Sequence, residues 1–208
     1  MGIADGLRAE LFGATAKTPP FGMLLPEGWV ARQADMESLG AQAQSALARV
    51  PGADGARLRA SVDSVIAQAG TSPESHERLI AWISQQDVSV DDFAPMSLAL
   101  AWLEAPPGTS MTSLAKQLVS GRGAGPLDEG GSILRWMDRE DLLVDGGVVH
   151  TVQPTYLIRV PHAPETALVI RATILDGAEG NHIDEEGIAA MTLLSDSIVA
   201  TFRWKRHG

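Results

Sequence analysis

The stretch VVHTVQPTYLIRV, residues 148–160, is the part of the sequence that decides the fold. Its β-branched and aromatic residues are typical of a strand, and the turn residues Asp145-Gly146-Gly147 come directly before it. Two further extended runs, residues 132–137 and 167–175, lie on either side of it in the chain. Three successive strands joined by tight turns predict an antiparallel meander.

The residues before the meander divide into a lead-in and the start of a domain. Residues 1–20 contain several Gly and Pro residues and are predicted to be loosely ordered, whereas residues 21–208 are predicted to form one domain. Within that domain, Phe21–Leu25 and Trp29–Ala31 flank the turn residues Pro26-Glu27-Gly28. This arrangement predicts an N-terminal hairpin.

Apolar residues spaced three and four apart predict helices in the segment 33–84. Two of these helices fall within residues 36–50 and 58–69. A third is predicted to begin at Ser72-Pro73-Glu74 and to carry Leu79, Ile80 and Ile83. The segment is therefore a candidate helical subdomain.

Alternating apolar residues predict a buried strand over residues 96–103. Thr109 or Ser110 is predicted to cap a helix that ends at Gly121, and Asp184 to cap a last helix. The end of the chain, residues 201–204, either continues that helix or leaves it as a strand. Because the strands follow helices instead of alternating with them, the predicted fold class is α+β. Its antiparallel sheet contains the C-terminal three-strand meander and the N-terminal hairpin, and helices flank it.

Composition limits where the protein acts and what it binds. The chain has 208 residues, a formal net charge of -10 and no Cys. Without Cys there are no disulfides or thiolate metal sites, and a reducing cytoplasm is the expected location. The negative charge disfavours nucleic acid and anionic membrane surfaces. The N-terminus lacks a secretory pattern, and the oligomeric state stays open.

Two short motifs at the ends of the chain carry a resemblance to a known group of proteins. Leu25-Pro26-Glu27-Gly28-Trp29 fits a hydrophobic-P-x-G-W pattern, and residues 196–204 fit D-x-I-x-x-T-hydrophobic-R-W. With the meander, these motifs resemble uncharacterised actinobacterial proteins whose element order is similar to the Mog/PsbP-like α/β/α sandwich. The resemblance implies one antiparallel sheet between helical layers and a non-catalytic binding or assembly role. It carries over no catalytic residue.

The best candidate site in the sequence is a set of three arginines. Arg135, Arg159 and Arg171 fall one on each strand of the meander. If the strands are neighbours, the three side chains could form a basic patch that binds a carboxylate or phosphate. The alternative is that each arginine pairs with a nearby Asp or Glu.

Other segments with suggestive chemistry are better explained as ordinary surface. The Gly-rich stretch 121–131 follows a helix and precedes a strand, which is the reverse of a phosphate loop, so we expect a flexible loop. The acidic stretches 87–92 and 138–141 are expected to be solvated loops. The five His lack metal-ligand spacing. We therefore predict no metal, no cofactor and no catalytic residue.

Two functional hypotheses remain after this reading. The leading hypothesis is a non-enzymatic protein-binding or assembly module of an actinobacterial cytoplasm. The alternative is a small-molecule enzyme or carrier with an anion-binding pocket between the sheet and the helices, in which the arginines hold the anion.

Overall fold

A computed structural model of the chain describes residues 8–11, 19–33, 76–86, 94–144, 147–178 and 181–205. The strands in chain order are β1 (Arg8–Leu11), β2 (Phe21–Leu24), β3 (Trp29–Gln33), β4 (Glu77–Gln85), β5 (Met96–Glu104), β6 (Gly125–Pro126), β7 (Ile133–Val144), β8 (Gly147–Arg159), β9 (Thr166–Ala178), β10 (Asn181–His182) and β11 (Arg203–Trp204). The helices are α1 (Met111–Arg122), between β5 and β6, and α2 (Glu185–Ala200), between β10 and β11.

The large sheet is antiparallel and contains the predicted meander. Its strand order is β3-β4-β5-β9-β8-β7-β6, and the short β10 pairs with β9. The strands β7, β8 and β9 are neighbours in sequence and in space, which confirms the meander and the α+β class. Every residue from Thr151 to Ile158 is buried, so both faces of β8 are covered.

One helix packs on each face of this sheet. On the α2 face, buried residues such as Ile158 and Ile170 contact Ile198 and Val199 of the helix. On the α1 face, a second apolar cluster joins Val169 and Leu157 to Met111. Successive side chains of a strand point to opposite faces, so each strand of the meander contributes side chains to both apolar clusters. The described residues thus form a helix–sheet–helix sandwich, as the sequence resemblance implied.

The two helices begin where the sequence predicts, because each has a side-chain oxygen at its N-cap. Ser110 accepts a hydrogen bond from the backbone N–H of Ser113, and Asp184 accepts one from Gly187. The C-terminal end of α1 differs from the prediction. The helix continues through Gly121 to Arg122, and Gly123 ends it with a left-handed φ of 65°.

The predicted third helix is wrong over Glu77–Gln85, which form β4, whereas its predicted start at Ser72-Pro73-Glu74 lies outside the described residues. Leu79, Ile80 and Ile83 have helical spacing, but the register with β5 shifts between Leu79 and Ala81. Such a bulge inserts one extra residue into a strand, so two consecutive side chains, Ile80 and Ala81, are both buried. The irregular spacing that favoured a helix comes from this bulge.

Both strands of the predicted N-terminal hairpin exist, but they do not pair with each other. Phe21–Leu24 pairs with β1 and with β11 in a separate three-stranded sheet of order β1-β2-β11. The expected partner around Trp29 belongs to β3 and pairs with β4. The turn at Gly28 therefore carries the chain from one sheet to the other. The lead-in supplies β1, and residues 203–204 leave α2 as a strand, which was one of the two alternatives.

Two predicted loops are corrected in part by the structure. Residues 138–141 are not a loop, because they continue β7 to Val144. The stretch 121–131 contains the last residues of α1, the short β6 and a turn closed by Asp128. In that turn, the hydrogen bond from Ser132 lowers the pKa of Asp128. The predicted helices within 36–50 and 58–69 and the acidic stretch 87–92 lie outside the described residues.

Candidate functional site

Four polar side chains meet where α2 crosses the meander. Arg135 of β7 and Tyr156 of β8 are directly opposite each other in the sheet, so both point to the α2 face. Ser195 and Asp196 come from consecutive positions of α2. Ser195 is fully buried on the sheet side of the helix, whereas Asp196 lies at its flank. We call these four residues the α2 latch.

Short hydrogen bonds hold the α2 latch together. The Tyr156 hydroxyl donates to Asp196 Oδ1 over 2.7 Å and lies 2.8 Å from Ser195 Oγ. Arg135 Nε donates to the same Asp196 oxygen over 2.8 Å. Ser195 can also donate to the carbonyl of Thr192 at 2.8 Å. One carboxylate therefore links two strands of the sheet to α2.

Burial sets the protonation state of the tyrosine. It raises the pKa of the Tyr156 hydroxyl well above the ordinary value, and the neighbouring Asp196 carboxylate raises the pKa further. At neutral pH, Tyr156 is thus a neutral donor to Asp196. Ser195 touches Tyr156 and the Thr192 carbonyl, and neither group is a base that would activate a serine nucleophile. The chemistry of this cluster is binding and positioning.

Exposed apolar side chains lie next to the α2 latch. Met137 is two residues beyond Arg135 on the same face of β7 and is 39% exposed. Leu193 is three residues before Asp196 on the surface of α2 and is 66% exposed. We call the surface formed by Arg135, Met137, Leu193 and Asp196 the α2–β7 flank.

The direction of α2 places Met137 and Leu193 at the same level. At the start of α2, the Asp176 carbonyl accepts a hydrogen bond from the Ile183 N–H. The Asp176 carboxylate also lies 3.8 Å from a guanidinium nitrogen of Arg139 in β7. Farther along the helix, Asp196 contacts Arg135. The helix α2 therefore runs antiparallel to β7. One helical turn from Asp196 toward the N-terminus of α2 covers about the same distance as two residues from Arg135 toward Met137 along β7.

Arg135 presents part of its guanidinium to this surface. Only its Nε is used in the contact with Asp196, and among the described residues no hydrogen bond reaches its two terminal nitrogens. The side chain is 27% exposed. A guanidinium with unused donors can bind a second carboxylate in addition to Asp196.

The structure does not bring the three predicted arginines together. Arg171 is opposite Thr155, on the α1 face, and pairs with Glu77 through two contacts of 3.3 and 3.4 Å. Arg159 is exposed on the same face, four residues beyond Thr155 on β8, which is about 13 Å along the strand. Arg135 points to the opposite face. Arg135 and Arg171 each pair with a carboxylate, as the alternative interpretation of the three arginines expected. Anion binding by any of the three stays a prediction.

Two histidines lie in separate parts of the described fold. His150 Nδ1 lies 2.7 Å from Asp141 Oδ1, a pair that links β8 to β7. His162 is exposed in the turn before β9 with a φ of 62°. Within the described part of the chain, no three His, Asp or Glu side chains form a group that could hold a metal ion.

The sequence analysis missed three of the four residues of the α2 latch as a site. Tyr156 is the only tyrosine of the chain and is buried between Val152 and Ile158 on one face of β8, a position where the hydroxyl needs a partner. Asp196 begins the C-terminal motif, but the motif alone does not show that Asp196 reaches the meander. The pairing depends on how α2 packs, which no local pattern specifies.

The fold and the α2 latch define an α+β sandwich protein with a polar contact between its helix and its meander. No family model and no curated protein matches the sequence. Among solved structures, the chain is similar to a mutant of the protein Mog1, with 13% identity, a TM-score of 0.46 and coverage of 95% of this chain and 94% of that chain. It is also similar to the Saccharomyces cerevisiae Ran-binding protein Mog1p, with 12% identity, a TM-score of 0.41 and coverage of 88% and 89%. The fold class rests on the sheet topology itself, and membership of an actinobacterial family stays a prediction.

Among the described residues, no helix is both long and apolar enough to cross a bilayer.

Proposed function

We propose that the chain is a non-enzymatic protein-binding module whose contact surface is the α2–β7 flank. The observation that carries this proposal is the pair of exposed apolar side chains, Met137 and Leu193, beside the partly used guanidinium of Arg135. Leu, Met and Arg side chains that share one surface are typical of protein contacts, where Met and Arg are enriched. A scattered exposed leucine needs no explanation, whereas a cluster with a charged neighbour does.

Charge supports a partner with acidic and apolar side chains. The chain as a whole carries a net charge of -10, which repels acidic partners at long range. The α2–β7 flank differs locally, because Arg135 and Arg139 lie on either side of Met137 on one face of β7. Arg139 is 71% exposed, and its contact with Asp176 is long, at 3.8 Å. An acidic side chain that reaches this surface therefore meets two guanidinium groups at short range.

A matched pair of surface substitutions tests the proposal. Leu193→Asp places a charge on the α2–β7 flank, and Val119→Asp places one on α1, where Val119 is 49% exposed. Each variant is used as bait in an extract of the source cell, and any captured protein is then purified and titrated. We expect Leu193→Asp to weaken binding of that partner at least tenfold and Val119→Asp to leave the affinity unchanged. A partner that binds both variants equally would show that the α2–β7 flank is not the contact surface.

The location and origin of the protein belong to the same proposal. The absence of Cys supports a reducing cytoplasm, and the two terminal motifs support an actinobacterial source.

A further inference from the structure

Most of one edge of β7 is open in the described structure. On its inner side, β7 pairs with β8 over its whole length, from Ile133 to Val144. On its outer side, the short β6 pairs only with Leu134 and Arg135. Among the strands that the structure describes, none pairs with that side beyond Arg135. The backbone from Met137 onward is therefore available to another strand.

The contacts of Ile133 show which backbone groups face outward. Its carbonyl accepts a hydrogen bond from Leu127 N at 2.8 Å, and its N–H donates to Asp128 Oδ1 at 3.0 Å. Both groups thus point away from β8. In an antiparallel strand this orientation alternates, so the N–H and C=O of Met137, Arg139 and Asp141 also point outward.

The sequence of β6 agrees with this register. Pro126, which has no N–H, lies opposite Leu134, whose backbone groups point inward to β8.

The side chains along this open edge carry opposite charges on the two faces of the sheet. Met137, Arg139 and Asp141 share the α2 face, where Asp141 pairs with His150. Asp138 and Glu140 share the α1 face, where Asp138 already pairs with Arg122 at 2.7 Å, so Glu140 is the carboxylate left to attract a basic residue. A strand added to this edge places its alternate side chains beside these two sets. The α2 side favours apolar and acidic residues, and the α1 side favours basic residues.

A second copy of this chain is a poor occupant of the open edge. Two β7 strands that pair antiparallel around a two-fold axis place one residue opposite its own copy. If that residue is Asp138, Arg139, Glu140 or Asp141, two like charges meet directly. If it is Met137, Arg139 must face Arg135 of the other copy, whose outer side β6 already covers. In every register centred on residues 137–141, the charges or β6 therefore oppose pairing with a second copy, which favours a segment of different sequence as the occupant.

We propose that the open edge of β7, residues 137–141, binds an extended segment of a partner protein that adds to the sheet as an antiparallel strand. The segment places a basic residue opposite Glu140, an acidic residue opposite Arg139 and an apolar residue opposite Met137. Backbone hydrogen bonds supply the attraction and the alternating charges supply the selectivity, as in other cases of strand addition. This inference rests on the proposed function and specifies how the partner binds.

A synthetic peptide tests the mode of binding on the full chain. The probe is acetyl-Thr-Lys-Glu-Lys-Leu-amide, in which Leu falls opposite Met137, Glu opposite Arg139 and Thr opposite Asp141. The protein is labelled with nitrogen-15, and backbone amide shifts are followed as the peptide is added. We expect saturable shifts of the amides of Met137, Arg139 and Asp141, which form new hydrogen bonds. The amides of Asp138 and Glu140 already face β8 and should move less.

Two matched control peptides separate strand addition from simple charge attraction. N-methylation of the Glu and Leu amides removes the donors that face β7, and we expect it to weaken binding at least tenfold. N-methylation of the two Lys amides, which face away, should leave the affinity within about twofold. The isomer acetyl-Leu-Glu-Lys-Thr-Lys-amide has the same composition but places Glu opposite Glu140 and Lys opposite Arg139, and no shift of register restores all the pairings of the probe. It should bind at least tenfold more weakly.

The proposed strand addition is overturned if the three outward amides do not shift, if both N-methylated peptides bind alike, or if the isomer binds as well as the probe. These results are distinct from failure of the proposed function. If Leu193→Asp abolishes partner binding but the peptide does not shift the three amides, the α2–β7 flank is the contact surface and strand addition at the edge of β7 is wrong. If the peptide shifts the three amides but the partner still binds Leu193→Asp, strand addition at the edge of β7 stands and the α2–β7 flank is not the contact surface.

Discussion

The hydroxyl of Tyr156 in β8 lies 2.7 Å from the carboxylate oxygen Oδ1 of Asp196 in α2. These two residues are 40 positions apart in the chain, and their contact fixes the helix on the centre of the meander. Arg135 holds the same carboxylate from the neighbouring strand. The α2 latch therefore adds a specific polar contact to the apolar packing that docks α2, next to the surface proposed to bind a partner.

Removal of the Tyr156 hydroxyl should weaken the fold. In Tyr156→Phe, the ring is kept but the hydrogen bond to Asp196 is lost, and we expect the free energy of unfolding to fall by about 1–2 kcal/mol, because the acceptor is charged but partly exposed. Ser195→Ala leaves the Tyr156–Asp196 bond in place, so its cost should be smaller, about 0.5–1 kcal/mol. Urea unfolding curves of the two variants measure both values. Equal costs would mean that Asp196 is not the main partner of the hydroxyl.

The raised pKa of Tyr156 predicts how stability depends on alkaline pH. The folded chain keeps this proton above the pH at which the unfolded chain releases it, near 10.0. The folded state then binds more protons than the unfolded state, so stability is fully present below pH 10 and falls as pH rises toward the folded pKa. Because the chain has a single Tyr, phenolate absorbance reports Tyr156 alone.

We expect phenolate absorbance to appear only as the chain unfolds in alkali, at the same midpoint as the loss of circular dichroism. In Tyr156→Phe this contribution to the pH dependence of stability should be absent. Absorbance that rises near pH 10 in the folded chain would show that Tyr156 is solvated.

Two buried tryptophans differ in the state of their indole N–H, and substitution should reveal the difference. Trp136 Nε1 donates to Asp138 Oδ2 at 2.8 Å, whereas Trp102 Nε1 is buried and has no hydrogen-bond partner among the residues that the structure describes. Trp136→Phe removes a hydrogen bond to a charged group, while Trp102→Phe removes an unpaired buried donor. We expect Trp136→Phe to lower the free energy of unfolding by about 1 kcal/mol more than Trp102→Phe does.

Chemical unfolding of the two variants compares these costs directly, since both rings are nearly inaccessible to solvent. A larger cost for Trp102→Phe would mean that its ring contacts, including the stacked Trp204 at 6.3 Å, dominate over the unpaired N–H.

The two glycines at the end of α1 should respond in opposite ways to alanine. Gly121 lies inside the helix with open space around its Cα, so Gly121→Ala should raise the free energy of unfolding by up to about 1 kcal/mol. Gly123 has a φ of 65°, so Gly123→Ala should lower it by about 1–2 kcal/mol. Thermal unfolding measures both changes. If Gly123→Ala were neutral, the helix would not depend on its left-handed C-cap.

The sequence predicted the meander because its strands alternate apolar and polar residues and are joined by short turns. It also predicted the starts of α1 and α2, since the caps Ser110 and Asp184 act within three residues of themselves. Predictions failed where distant residues decide the structure. The bulge at Ile80 in β4 was misinterpreted as helical spacing, and the strand at Phe21 pairs with Arg203–Trp204 at the far end of the chain.

In the candidate site too, local sequence patterns identified individual residues, whereas their grouping depended on distant parts of the chain. Arg135 was predicted from the sequence as a candidate ligand-binding residue, but its grouping with Arg171 was wrong in geometry, because the two side chains point to opposite faces of the sheet. Which face each arginine takes depends on the register of three strands, and a shift of one residue reverses it.

By itself, the sequence determined the local elements of this protein, because hydrophobic period, turn residues and helix caps act over a few neighbouring positions. Only the tertiary structure decided that Tyr156, Arg135 and Asp196 meet, and that no described strand pairs with the outer edge of β7 beyond Arg135. The physical reason is that strand register and helix docking are set by burial of apolar surface between distant segments. No single segment contains that information.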